Sequence, residues 1–421
     1  MALGTDDSRW SPTVHIPPEL IPSILQHISP TSSFPSLLSR QVFTDGSWQQ
    51  YRHDLRAFVQ FALVCQTWTT FTREIMFHTL IIPWLDESIL QLCSVLRQFG
   101  SYSRAMIIFT MDTSGPMRLL NRNDFCVALK GCFPSMPQIK KVEIYDTTDK
   151  IFAHSIPTQV GCFEFPSVCS LKLSGSVGRG RKSLLHALGH GAAFLETLEI
   201  MYLETWPSDY KLPTRLGKLR SLILQCTYLS VPGVIDLLRG PDEDASSRSL
   251  RKLVIIPSHH QTIPPDITPL LTFDSTGDRL QFLMIHRLDP CRSLACCPSL
   301  ETFIYVSPTS SNIFPFLPRT LRRLAISATL LSPLDRFVVY ISSERAQNLE
   351  QLAVALKHDA YLALTTTSEP FVSVTKACKD AGVTLTWIVP GALGLGLERW
   401  DDVTELFQTV QSLPRARLKL T

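Results

Sequence analysis

The sequence predicts an α/β protein in which a helical N-terminal module precedes an irregular solenoid, expected to curve as a horseshoe with parallel strands on its concave face. Three observations predict it. A short apolar triad recurs through most of the chain, and two helix-patterned apolar stretches lie within the first eighty residues. Over 421 residues, 45 % hydrophobic against 18 % charged is ample material for a core.

Residues 1–13 carry Asp6, Asp7 and Trp10 without a basic start or an apolar run, so they are expected to be a disordered start and not a signal peptide. Leu20, Ile24, Leu25 and Ile28 then recur at helical spacing, opened by Pro17 and Pro18, which a first helical turn tolerates, and closed by Ser29-Pro30. Residues 29–54, rich in Ser, Pro, Gln and aromatics, read as an insertion, which loop-closure entropy permits cheaply. A second helical pattern runs through Leu55, Phe58, Val59, Ala62 and Leu63 to Trp68, Phe71 and Ile75, ending in the strand-like Phe77 to Ile82. A helical unit this small buries too little surface to offset its chain entropy, so part of its apolar surface is expected to be bound elsewhere.

Pro17-Pro18-Glu19-Leu20 with its Ile/Leu helix, then Leu63-Val64-Cys65-Gln66-Thr67-Trp68, then Leu80-Ile81-Ile82 resemble an F-box of the kind common in fungal proteins. The resemblance implies a module over 14–82, interrupted at 29–54, that docks on a small Skp-type adaptor and through it on a cullin and a RING ubiquitin ligase. By position, Ile16, Pro17, Leu20, Leu25 and Ile28 match the first half of the adaptor-binding pattern, and Leu63, Val64, Cys65 and Trp68 the second. The insertion is the departure, since the compact module lacks it.

Over 83–397 the repeat takes charge. Nine triads, from Ile139/Val142/Ile144 through Leu219/Leu222/Leu224 and Leu321/Leu324/Ile326 to Leu349/Leu352/Val354, start 20 to 31 residues apart. A mean spacing of about 26 lies in the leucine-rich-repeat range. Phe77/Leu80/Ile82 and Met106/Phe109/Met111 fit less well, and Val383/Leu385/Trp387 reads as a final strand. A lone strand cannot hide its triad, whereas stacked neighbours bury one another's, and parallel strands need long crossovers. Ser88 to Phe99, with Ser88 as cap and Gly100 as stop, Asn123 to Lys130 closed by Gly131, and Ser230 to Arg239 are expected to supply three of them. Thr147, Ser176, Leu203, Thr227, Ser258, Leu288, Pro308, Thr329 and Lys357 stand where regular repeats place Asn or Cys, so the coils are degenerate. A capping helix with Trp400, Val403, Leu406, Phe407 and Val410 on one face, and a tail, fill 398–421.

The formal charge is only +3 and no charge block occurs, which argues against dedicated nucleic-acid binding, and no apolar run approaches the length of a membrane span. The eleven cysteines show no CxxC pair, so reduced, mostly buried thiols in a cytoplasmic or nuclear protein are expected. Gly175 to Ser183 approximates a phosphate-cradling loop but has Arg181 where the lysine should follow the glycine, leaving Lys182 one place late. His186 and His190 lack an intervening Glu, and His259-His260 lack a third ligand. No metal, nucleotide or other cofactor and no catalytic residue is implied.

What remains is the outward face of the strands, where positions between triad residues mix charge with apolar groups. Lys172, Arg220, Arg251, Phe282, Arg322 and Arg323 are the candidate target contacts. The expected function is the non-catalytic substrate receptor of a Skp-cullin-F-box ubiquitin ligase, a monomer within that complex, whose repeats hold an unidentified target protein. The alternative is a ligase-independent repeat scaffold.

Overall fold

The computed structural model describes residues 18–30, 45–64, 66–110, 118–146, 167–175, 194–205, 216–228, 230–239, 249–257, 266–286, 294–306, 313–328, 334–356 and 369–388. The chain divides into two compact units, 1–151 and 152–421. The helical module thus shares its unit with the first strands, and the chain does not divide after residue 82.

In the first unit α1 (Ile21–Ile28) follows a single 3-10 turn, α2 (Asp45–Val59) runs into a second 3-10 turn over Gln60–Leu63, and α3 (Gln66–His78) leads straight into β1 (Thr79–Pro83). Ile21, Leu25 and Phe58 form the centre of this helical packing, with Phe61, Trp68, Phe71, Ile75 and Met76 against them. β1 pairs in parallel with β2 (Ala105–Phe109), and β2 with β3 (Lys141–Asp146), aligning Leu80, Met106 and Val142, then Ile82, Ile108 and Ile144. All six are buried. The Met106/Phe109/Met111 triad is therefore out of phase: strand side chains alternate, so Ile108 accompanies Met106, while Phe109 faces the other side with Ile107 and Tyr145.

That other side explains α2. Trp48, Tyr51 and the half-buried Leu55 pack on Ile107, Phe109, Tyr145 and Ile81, with Trp48 stacked on Tyr51 at 5.3 Å and edge-on to Phe109 at 5.5 Å. The second half of the expected insertion is thus a helix covering a sheet face; 31–44 lie outside the described residues. Aromatic spacing of three, four and three through Trp48, Tyr51, Leu55 and Phe58 makes one apolar stripe, whose first part meets the strands and whose end meets α1.

The crossover helices are α4 (Ser88–Phe99) and α5 (Arg122–Cys132). Asp86 Oδ1 accepts from Ser88 N at 2.7 Å, so the cap comes from two residues upstream of the expected Ser88. Gly100 is not a left-handed stop; a Cβ there would lie 2.2 Å from the Ser135 carbonyl oxygen, and close approach is what requires glycine. Asn121 caps α5 by accepting from Asp124 N at 2.9 Å, and Gly131 lies inside the helix instead of closing it. The expectation of wholly reduced thiols does not hold: Cys93 on α4 and Cys132 on α5 form a disulfide across 39 residues of sequence.

The second unit carries β4 (Ser170–Gly175), β5 (Thr197–Thr205), β6 (Ser221–Tyr228), β7 (Lys252–Pro257), β8 (Phe282–His286), β9 (Thr302–Val306), β10 (Arg323–Ala328), β11 (Gln351–Leu356) and β12 (Thr384–Ile388). They pair in parallel in sequence order, each triad on a strand or just before it. The register slips once, between Ile200 and Leu203. Helices α6 (Val231–Arg239), α7 (Leu334–Ile341) and α8 (Glu369–Asp380), with shorter helical turns, serve the crossovers. Leu222, Leu253, Leu283, Phe303, Leu324 and Leu352 stack in one buried row, each contributing about 1.5–3 kcal/mol that a single coil could not secure. The chain is therefore α/β with parallel strands and crossover helices; residues 1–13 and 398–421 lie outside the described residues. Among the described residues no helix is long and apolar enough to cross a membrane.

Candidate functional sites

Helix α1 has two apolar edges. Ile21 and Leu25 point into the helical core, Leu25 with 0 % exposure, whereas Leu20, Ile24 and Ile28 stand on the opposite edge and remain open, Leu20 at 52 %. Spacing of four residues puts those three on one line. At the end of the second 3-10 turn Leu63 is 77 % exposed, and Val64 beside it is also open. Trp68 is half-buried, stacked on Phe61 at 5.9 Å. Thr69 ties the turn to α3 by donating to the Ala62 carbonyl.

The expected adaptor contacts thus separate by exposure. Leu20, Ile28, Leu63 and Val64 present apolar surface, Trp68 presents part of its ring, and Leu25 is an interior residue with no surface to offer. Ile16, Pro17 and Cys65 lie outside the described residues. Ile24 was not among the predicted contacts, although its position four residues from both Leu20 and Ile28 is the signal that finds it.

In the second unit the candidate target contacts fall on three distinct rows. Arg220, Arg251 and Arg322 precede their strands by one residue and belong to an exposed edge row that continues through Glu196, Gln281, Glu301 and Glu350. Backbone hydrogen bonds of 2.8–2.9 Å link each member to the next, for example Arg251 N to Arg220 O and Glu350 N to Arg322 O. Arg322 Nε donates to Glu350 Oε1 at 2.9 Å, and this hydrogen bond, with the Glu350 charge, raises the guanidinium pKa above its ordinary value.

Phe282 and Arg323 belong to the next row inward and are half-buried; Lys252 Nζ sits 4.9 Å from the centre of the Phe282 ring. Lys172 belongs to the third row, paired with Glu199 at 2.8 Å across β4 and β5. In register with that pair run Ile223, Val254, Met284, Ile304, Ala325 and Ala353, which the alternation rule alone would leave to solvent. From Val254 onward they are buried, with Ile304, Ala325 and Ala353 each 0 % exposed, and Ile223 is half-buried.

No group of three His, Cys, Asp or Glu side chains that could hold a metal occurs among the described residues. The phosphate-loop-like segment beyond Gly175 and the histidines at 186, 190, 259 and 260 lie outside them. A cleft of about 310 Å³ beside α7 is walled by Phe314, Pro315, Val339 and Tyr340 and rimmed by Asp335, Arg336 and Arg345, with no nucleophile–base pair in it. No protein-family model matches the chain, and no curated protein matches it.

Proposed function

We propose that this chain is the target-recognition subunit of a Skp-cullin-F-box type ubiquitin ligase. In this reading the helices of the first unit form an F-box that docks on the Skp-type adaptor. The coils of the second unit are degenerate leucine-rich repeats, curved as a horseshoe, that hold a target protein. The subunit performs no chemistry; it raises the local concentration of a bound target near the ligase's charged ubiquitin carrier. A cytoplasmic or nuclear site goes with that role, and the Cys93–Cys132 pair would there face reducing conditions.

The observation that carries the reading is the open line of Leu20, Ile24 and Ile28 on a helix whose other edge is already spent on the core, together with exposed Leu63 and Val64. Apolar side chains concentrated on so small a helical packing call for a protein cover. For the target, the edge row offers the exposed Arg220 and Arg251 on a rigid backbone ladder, where contacts to carboxylates are strong, while Arg322 is already engaged by Glu350.

Co-expression with a Skp-type adaptor and affinity capture tests the adaptor step. Wild-type chain should retain the adaptor, and the Leu20→Asp/Leu63→Asp variant should not. A folded wild-type chain that retains no adaptor would remove the ligase reading and leave the interaction scaffold.

A further inference from the structure

The cleft beside α7 combines an apolar lining with a polar group that the chain leaves unmet. Its volume of about 310 Å³ is at the lower end of the range for small-molecule sites. Helix α7 contributes Asp335, Val339 and Tyr340, the 3-10 turn before it Phe314 and Pro315, and the 3-10 turn after it Arg345. Val339 is 72 % exposed, an apolar group where the outer face of a surface helix ordinarily carries a polar one. Tyr340 is only 3 % exposed, its ring stacked on Phe314 at 5.2 Å, and its hydroxyl is buried without a hydrogen-bond partner. Packing does not require that hydroxyl: Phe337, one turn earlier on α7, meets the same Phe314 ring edge-on at 4.9 Å without one. The other hydroxyl lining the cleft, that of Ser343, donates to the Tyr340 carbonyl oxygen at 2.6 Å. A buried hydroxyl left in this state is a cost until an acceptor arrives.

Arg345 supplies a charge beside that hydroxyl. Its Nη1 donates to the Leu317 carbonyl oxygen at 3.3 Å, which steadies the guanidinium, and its other N–H groups make no hydrogen bond or ion pair among the described residues. Burial pushes the Tyr340 hydroxyl pKa up, and the Arg345 charge works against that rise, as a nearby cation does. Asp335 lies in the first turn of α7 and Arg345 beyond its last, so the rim is acidic at one end and basic at the other. A negative group is thereby directed to the Arg345 end. We propose that this cleft binds a small monocarboxylic acid with an apolar body, whose carboxylate accepts from the Tyr340 hydroxyl and the Arg345 guanidinium while the body covers Val339, Phe314 and Pro315. Hydrogen bonds to an ionised carboxylate are the strong kind, and the apolar walls shed water as the body enters. A folded protein partner would need an interface far larger than one such cleft offers. This inference does not rest on the adaptor reading.

The test titrates octanoate into the full-length chain and reads binding by saturation-transfer NMR. Wild-type chain should bind octanoate, and should bind octanamide, of the same shape without the charge, at least about tenfold more weakly. Tyr340→Phe keeps the ring and removes only the hydroxyl, and Arg345→Gln removes only the charge; each should weaken octanoate by about tenfold. Val339→Asp alters an exposed position, so the fold is kept, but it sets a carboxylate in the cleft and should weaken octanoate by about tenfold or more. No octanoate binding by wild type, equal affinity for acid and amide, or an affinity unchanged in Tyr340→Phe or in Val339→Asp would overturn the inference. An oligoglycine peptide ending in a free leucine carboxylate that binds more tightly than octanoate would overturn the assignment to a small acid.

Discussion

The two edges of α1 separate a stability effect from a binding effect within one helix. Leu25 is enclosed with Ile21 and Phe58, so Leu25→Ala removes buried methyl groups and leaves a cavity, a loss of about 2–5 kcal/mol. At about 2–4 °C per kcal/mol for a unit of this size, thermal unfolding of that unit should begin about 4–20 °C earlier. Leu20, half open, can still gain about 1 kcal/mol of burial under a partner, and Leu63, three-quarters open, about 2 kcal/mol. Placing Asp at both positions forfeits that about 3 kcal/mol and adds the desolvation of two carboxylates, so adaptor affinity should fall by more than about a hundredfold. The same double variant should change unfolding free energy by no more than about 0.5 kcal/mol at each site, as surface substitutions do. Calorimetric titration with a purified adaptor and thermal unfolding of both variants read the two quantities. Melting of Leu20→Asp/Leu63→Asp as early as Leu25→Ala, or adaptor binding by it as tight as that of wild type, would refute this separation of the two edges.

Two glycines should respond in opposite directions to alanine. Gly277→Ala would set a Cβ 2.1 Å from the Cys296 carbonyl oxygen and should be clearly destabilising in a denaturant titration, whereas Gly131→Ala meets nothing within 4 Å inside α5 and should stabilise by about 0.5–1 kcal/mol. Breaking the Cys93–Cys132 bond frees a loop of 39 residues; in the chain-entropy description reductant should lower stability by about 4 kcal/mol, and Cys93→Ser/Cys132→Ser should make the chain insensitive to it. Thiol alkylation mapped by mass spectrometry at pH 8 should label the half-exposed Cys169 and Cys296 well before Cys297, whose pKa burial pushes up to about 12, and Cys378, pushed up to about 11 by burial. Because both folded-state values are raised, the stability these thiols contribute is fully present below pH 9 and is lost as the pH climbs through about 11 to 12, so alkaline unfolding should be steeper than in Cys297→Ala.

The repeat was legible because its signal is redundant. A triad that recurs nine times places strands even where the loop residues depart from the regular pattern, and period-two alternation fixes which side chains stack. Where that signal weakened, phase was lost: around Met106, Ile107, Ile108 and Phe109 every residue is apolar, so the triad could be laid down in two ways, and only the pairing with Val142 and Ile144 selects one. The run is uniformly apolar because both faces of β2 are buried, as parallel strands commonly are, and such a run carries no parity. Pairing of Cys93 with Cys132 was illegible for another reason, since two isolated cysteines acquire a partner only through the packing of α4 on α5.

The site readings were limited by the same assumption, that the face away from the triads belongs to solvent or to a partner. In the first unit that face belongs to α2, and the aromatics Trp48 and Tyr51 inside an apparent surface excursion were the available clue, because exposed loops rarely hold two aromatics at helical spacing next to Leu55 and Phe58. In the second unit Ala325 and Ala353 on that face are fully buried. Exposure then assigns the candidate contacts more sharply than residue type does. Arg220, Arg251 and Arg322 keep their surface because they sit one residue outside the strands, where backbone hydrogen bonds fix their spacing, while the row through Ile304, Ala325 and Ala353 is buried. Reversing charge at Arg251 and Arg322 together should therefore weaken capture of an acidic target while leaving the fold intact, whereas the same change at Arg323, half-buried beside that row, should disturb both.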